Sequence, residues 1–220
     1  MCGRYTLSTI EGLQERFALS SAVDQVTPNY NSAPTQQLPV IVRNSPNRLV
    51  LMRWGLIPSW VKQIDQRTTL INARAETLSE KPSFRKAFAS QRCLIPTTGF
   101  YEWQQHERGK QPYFIRLRDQ GVFAFAGLYD RWRDPQGGEI HSFTIITTEP
   151  NELMGSIHTR MPVILTPAEE EHWLDPRISA AADLMPLLDP YPSEAMEAYP
   201  VSALVNSPRN NTPSLIDPVA

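Results

Sequence analysis

Cysteine is nearly absent: Cys2 and Cys93 are the two in a chain of 220 residues, too few for a disulfide framework and without the paired short spacing of a zinc site. The four histidines form no metal-ligand cluster with them, so neither a metal nor any other cofactor is expected. Also missing is an apolar run approaching the roughly 20 residues that cross a bilayer. The polar start Cys2-Gly3-Arg4-Tyr5-Thr6 has no signal-peptide hydrophobic region either. A membrane partner is thereby set aside, and the cytoplasm is the expected compartment. Net charge is small as well, −2, which argues against holding nucleic acid by bulk charge. That balance conceals an asymmetry. Residues 1–160 carry 19 Lys+Arg against 14 Asp+Glu, whereas 161–220 carry 2 against 9, so the N-terminal part has the means for a locally basic surface.

The 41% hydrophobic content can fill the core of one large domain, and no repeat, low-complexity tract or linker divides the chain. Ser8-Thr9-Ile10-Glu11 has capping-box spacing and predicts a helix with Ile10, Leu13 and Phe17 on one face. Two β-rich runs, 38–42 and 49–52, flank the turn-forming Asn44-Ser45-Pro46-Asn47 as in a hairpin. A short helix at 82–89 precedes strands at 92–95, 99–104, 112–118, 122–128 and 142–148, and Cys93 reads as a buried strand residue. Thr166-Pro167-Ala168-Glu169 combines an N-cap, Pro at N1 and Glu at N3, predicting a helix through Leu174, with another at 180–188. Ten of the twenty prolines fall in the last 60 residues, so the end from about 207 is expected to wrap the surface or fray. The fold class that follows is α+β, one compact domain over 1–220 with a mixed, barrel-like β-sheet core flanked by helices. A monomer is expected.

The chemistry begins at Met1-Cys2-Gly3-Arg4. If Met1 is removed, Cys2 carries an α-amine and a thiol on adjacent carbons, with reference pKa values of about 8 and about 8.5. An aldehyde can condense with the amine and then be captured by sulfur, closing a five-membered thiazolidine; an internal cysteine cannot do this. Three further segments are dense in polar and aromatic residues: Ile71-Asn72-Ala73-Arg74-Ala75-Glu76-Thr77, Gly99-Phe100-Tyr101-Glu102-Trp103 and Ile157-His158-Thr159-Arg160-Met161-Pro162. With Tyr30-Asn31-Ser32-Ala33-Pro34 and Trp54-Gly55-Leu56-Ile57-Pro58, their ordered combination resembles the SRAP family, the SOS-response-associated peptidase-like proteins that process abasic sites in DNA. The resemblance runs from Cys2 to about Pro162.

This resemblance implies that mature Cys2 crosslinks to the ring-opened aldehyde of an abasic site in single-stranded DNA, and that Asn72, Glu102 and His158 complete the catalytic set. Asn72 would orient amine and sugar, Glu102 would relay protons, and His158 would protonate the sugar ring oxygen. Arg4, Arg74 and Arg160 stand beside these residues as backbone contacts; Trp54 and Trp103 are candidate stacking faces, and Arg85 is a further basic candidate. Peptide-bond cleavage would be limited to the maturation that exposes Cys2, and bound protein would be nucleoid-associated. Two other classes compete. An N-terminal cysteine hydrolase or amidotransferase would form a thioester at Cys2, and a noncatalytic single-stranded or modified-DNA binding module would need no covalent capture. His106, His141 and His172 lie outside the motifs and read as surface or packing residues.

Overall fold

Alternating apolar residues along five strands close a β-barrel, around which everything else is arranged. In the computed structural model, residues 2–20, 23–24, 26–44, 46–65, 68–107, 109–119, 121–134 and 136–219 are described. The strands are β1 (Tyr5–Leu7), β2 (Asn29–Ser32), β3 (Gln37–Val42), β4 (Arg48–Trp54), β5 (Asn72–Arg74), β6 (Arg92–Thr97), β7 (Gly99–His106), β8 (Gly109–Leu117), β9 (Phe123–Arg133), β10 (Glu139–Thr148), β11 (Met161–Pro162), β12 (Ile164–Leu165) and β13 (Met196–Pro200). The helices are α1 (Leu13–Arg16), α2 (Arg85–Ser90), α3 (Glu152–Gly155), α4 (Pro167–Leu174) and α5 (Ala181–Leu184).

The ring runs β10-β4-β3-β6-β9 and returns to β10; the β10–β4 pair is parallel and the other pairs are antiparallel. Closure leaves these strands no open edge. Because side chains alternate across a strand, the ring sorts its residues into two cores. Val40, Cys93, Ile95, Phe125, Phe143 and Ile145 join one cluster, and Ile41, Leu94, Ala126, Leu128 and Ile146 join another with Leu13, Phe88 and Trp173 from the helical side. A second sheet, ordered β13-β8-β7-β1-β2, packs on the first cluster through Tyr5 and Phe100. Both rings meet Phe125 edge-on, with centroids 6.0 and 5.7 Å away, geometry that suits the aromatic quadrupole.

The mixed barrel and flanking helices match the sequence expectation, including the β3–β4 hairpin, whose turn contains Ser45, outside the described residues. Thr166 and Glu169 form the reciprocal capping box of α4, with Pro167 at N1. The first helix differs. It is capped at Gly12 (φ 69°) and spans only Leu13–Arg16, because Ser8 is drawn away: its Oγ and backbone N–H both meet Thr98 Oγ1, at 2.9 and 3.0 Å. The expected helix at 180–188 is also shortened, tightening into a 3-10 turn at Met185–Leu188, where Pro186 has no N–H to continue the α pattern.

Strand β13 was hidden by the proline density. It pairs antiparallel with β8 from Met196↔Leu117 to Pro200↔Tyr113, with the proline at its end. Beyond it the chain runs back over the second sheet. Asn31 Nδ2 donates to the carbonyls of Val205, Ser207 and Asn210 at 3.3, 3.0 and 2.8 Å, and Leu215 is buried.

Gly127 marks the tightest point of the ring. A Cβ there would stand 2.2 Å from Ile95 Cδ1, 3.0 Å from the Thr144 carbonyl oxygen and 3.1 Å from Cys93 Sγ. Gly127→Ala should cost about 1–3 kcal/mol in urea unfolding through overpacking. Gly155→Ala, where a Cβ meets open space, is the control and should stay within about 0.5 kcal/mol of wild type.

Candidate active site

The N-terminal segment is placed by backbone pairing. Tyr5 opposes Phe100 in antiparallel register and Tyr101 N–H donates to Arg4 O at 3.0 Å, so residues before Tyr5 run beside residues after Phe100. Cys2 is carried toward Glu102 in this way. From the other side, β5 pairs parallel with β10, Asn72 opposite Ile145, and Asn72 Nδ2 donates to Cys2 O at 2.9 Å. The Oδ1 of the same amide is buried without a hydrogen-bond partner among the described residues, an acceptor left over beside Cys2.

Glu102 is buried on β7, and burial pushes its carboxyl up to about 6 against the opposing pull of the positive amino terminus. It is therefore mostly ionised at neutral pH yet close enough to its titration to exchange protons. Its charge also acts on Cys2. Burial first, then the Glu102 charge, push the Cys2 thiol well above its ordinary value. In the unprocessed chain the sulfur therefore rests as a thiol, because a desolvated anion beside a carboxylate is doubly disfavoured. Met1 lies outside the described residues.

His158 follows α3, whose N-cap Asn151 accepts from Met154 N–H at 2.9 Å; His158 N–H then donates to Met154 O at 2.8 Å. His158 Nδ1 meets the backbone of Arg160 twice, its N–H at 3.0 Å and its carbonyl oxygen at 3.3 Å, which fixes the orientation of the ring. Burial, then the amino-terminal charge, lower its proton affinity, so a neutral imidazole occupies the site. Glu102 and His158 line one cavity of about 390 Å³ with Trp103, Lys110 and Asn206. A larger hollow of about 590 Å³ lies elsewhere, among Arg43, Glu171, His172, Asp175 and Arg177, and its charges are already matched as Arg43–Glu171 and Arg177–Asp175 pairs. Among the described residues no group of three or more His, Cys, Asp or Glu is placed to hold a metal, and no helix is long and apolar enough to cross a membrane.

The basic and aromatic candidates divide. Arg74 is exposed on β5. Arg160 instead grips Glu76 through both terminal nitrogens and donates to Thr147 O at 2.6 Å. Arg4 donates to Asn31 Oδ1 at 2.7 Å and Val205 O at 2.8 Å. Arg85 is exposed on α2, a helix that packs on β6 and β9 through Ala87 and Phe88 and is absent from the cavity lining. Trp54 requires correction as a stacking face: it is fully buried, stacks on Phe143 with ring centroids 6.3 Å apart, and donates its Nε1 to Ile71 O at 2.9 Å. Trp103 is half-buried, lines the cavity and donates Nε1 to Asn206 Oδ1 at 2.7 Å. Sequence reasoning passed over Trp60, which is 62% exposed after β4. Its signal was the turn-like Pro58-Ser59 before it, in contrast to the apolar run Leu49-Val50-Leu51-Met52 before Trp54. Lys110 and Asn206 were also missed; each lies outside the motif segments.

Comparison with known proteins gives a consistent result. The family model described as SOS response associated peptidase (SRAP) matches residues 1–208. The abasic site processing protein YoqW of Bacillus subtilis (strain 168) is 50% identical over 222 residues, covering 99% of each chain. The abasic site processing protein HMCES of Xenopus tropicalis is 35% identical, covering 86% of this chain and 66% of its own length. A crystal structure of a Bacteroides thetaiotaomicron protein superposes with TM-score 0.90 at 34% identity over 100% of both chains.

The raised Glu102 carboxyl has a thermodynamic signature. Its folded-state value lies above the ordinary 4.5, so wild type keeps its full relative stability below pH 4.5 and loses it as pH rises through about 6. Measured by urea unfolding against pH, Glu102→Gln should gain about 2 kcal/mol on wild type between pH 4 and 7. A constant difference across that window would show that Glu102 titrates normally.

Proposed function

The chain belongs to the SRAP family, and from that premise we propose that it processes abasic sites in DNA by covalent capture on Cys2. What carries this reading is the meeting of distant segments at one place: Asn72 holds the Cys2 carbonyl, the Glu102 charge acts on the Cys2 thiol, and Glu102 and His158 line one cavity. That arrangement surrounds an aminothiol with an acceptor, a proton carrier and an imidazole, the groups that aldehyde condensation requires.

The proposed sequence starts once Met1 is removed. The abasic deoxyribose of single-stranded DNA enters the cavity as its closed hemiacetal, and His158 assists its opening to the C1′ aldehyde, in which the C1′–O4′ bond breaks, the ring oxygen gains a proton and the C1′ hydroxyl loses one. The α-amine of Cys2 adds to C1′, and water leaves as the imine forms. Asn72 Oδ1, the leftover acceptor, holds the amine for attack. The thiol then adds to the imine carbon while its proton passes by way of Glu102 to the nitrogen. One water is released overall and the product is a thiazolidine. A buried thiol suits this order, because its proton is needed on nitrogen in the second step. Arg74 and the exposed Trp60 supply a phosphate contact and a stacking face for the strand.

Intact-mass measurement after incubation with an abasic oligonucleotide tests the assignment directly. Wild type should gain the oligonucleotide mass less one water on a chain lacking Met1, mapped to Cys2, whereas Cys2→Ala and Cys2→Ser should form no heat-resistant adduct. A thioester, or an adduct retained by Cys2→Ser, would overturn thiazolidine capture.

Glu102→Gln and His158→Ala should bind single-stranded DNA like wild type but slow capture by about 100-fold in single-turnover assays. The wild-type rate should fall as pH drops through about 6, where Glu102 takes up its proton, and this limb should vanish in Glu102→Gln. Arg74→Ala should lower affinity and flatten its salt dependence by about one phosphate. Arg160→Ala should act chiefly on stability, since its guanidinium is committed to Glu76 and Thr147.

A further inference from the structure

The cavity that Glu102 and His158 line contains two groups that no motif nominated, Lys110 on β8 and Asn206 in the C-terminal segment. Their chemistry differs from that of the other walls. Glu102 brings negative charge and His158 a neutral ring. Among the described residues lining this cavity, Lys110 is the one lysine or arginine. Its charge reaches both reacting groups, lowering the proton affinity of Glu102 and of His158. Asn206 is oriented without ambiguity. The Trp103 indole can only donate, so the atom it meets at 2.7 Å is the amide oxygen, and the two N–H donors of Asn206 remain for other partners.

We propose that Lys110 and Asn206 form a phosphate subsite that takes a phosphodiester of the abasic nucleotide as its aldehyde reaches Cys2. The inference rests on the capture reading above and adds a recognition element to it. An abasic deoxyribose carries its phosphates on its own C3′ and C5′ oxygens, so delivering C1′ to Cys2 brings a phosphate into the same neighbourhood. Without a cation there, that phosphate would face the Glu102 carboxylate, a like-charge contact in a half-enclosed site. Arg4 and Arg160 do not line this cavity; both terminal nitrogens of Arg160 are engaged with Glu76 and Thr147, and Arg4 commits its Nη1 to Asn31 and Val205. Lys110 supplies the charge and Asn206 a directional donor. Asn206 is held for this task by its neighbour Val205, whose carbonyl accepts from Arg4 and Asn31 at 2.8 and 3.3 Å.

Two soluble aldehydes that differ in one phosphate, 2-deoxyribose and 2-deoxyribose 5-phosphate, provide the test. Adduct formation on full-length mature protein is followed by intact mass, and the ratio of the two rate constants is compared between variants, which cancels the intrinsic difference in open-chain aldehyde. Wild type should favour the phosphorylated sugar. Lys110→Gln should lower that ratio about tenfold, Lys110→Arg should restore most of it, and Asn206→Asp should lower it at least as far. The aspartate keeps an oxygen for Trp103 but repels phosphate. In parallel, affinity for a single strand containing a tetrahydrofuran abasic analogue, which cannot react, should fall about tenfold in Lys110→Gln.

Wild-type ratios together with wild-type affinity in Lys110→Gln and Asn206→Asp would overturn the subsite. An equal loss with both sugars would also overturn it, because the residues would then serve the site's shape. Failure of wild type to form any adduct would instead strike the capture reading, and the analogue-binding arm would still decide the fate of Lys110.

Discussion

A carboxylate buried within reach of the chain's own amino terminus is the constraint that the rest of this structure accommodates. Glu102 has no place in an apolar core by itself; desolvating its charge is costly and is reflected in its raised proton affinity. The amino terminus offsets part of that cost. The arrangement has three parts: the β1–β7 register that runs the first residues beside Glu102, the Asn72 amide that holds the Cys2 carbonyl, and the turn after α3 that brings His158 to the cavity Glu102 lines.

The same economy explains why basic residues near the site are not equivalent. A guanidinium can act as a scaffold or as a ligand for phosphate, and its other bonds decide between them. Arg4 and Arg160 bridge segments distant in sequence, tying Asn31 to Val205 and Glu76 to Thr147. Arg92 is the extreme case. It is buried, and its three nitrogens donate to five carbonyls, those of Phe88 and Ala89 at the end of α2 and of Trp173, Asp175 and Ile178 at and beyond the end of α4. Helix ends expose just such carbonyls, and one cation at their meeting point satisfies them together.

Much of this was legible in the sequence where local chemistry and tertiary placement agree. The α4 cap, the β3–β4 hairpin and the strand-rich centre were readable because capping boxes, turn residues and β-branched runs act over a few positions. Legibility failed where a distant partner overrode the local pattern. The Ser8 cap signal lost to Thr98, ninety residues away in the chain. Trp54 and Trp60 are the same residue type six positions apart, and only the turn-forming Pro58-Ser59 between them marks locally that the first fills the core while the second faces solvent. The four motif residues were found by their ordered resemblance to a family. Lys110 and Asn206 belong to no such motif and became visible only when the cavity joined them.

The C-terminal segment gives the molecule a temporal property. Asn206 lines the cavity, and the Val205 carbonyl anchors Arg4, two residues from Cys2. The site is thus assembled from segments far apart in the chain, Arg4 and Val205 standing 201 residues from one another. On the ribosome Cys2 emerges well before Val205 and Asn206, so the cavity cannot form until that later segment has left the exit tunnel and docked against Asn31 and β8. Assembly of the site therefore waits on synthesis of the segment around Asn206, and a chain cut short before that segment carries the nucleophile without the wall that directs it.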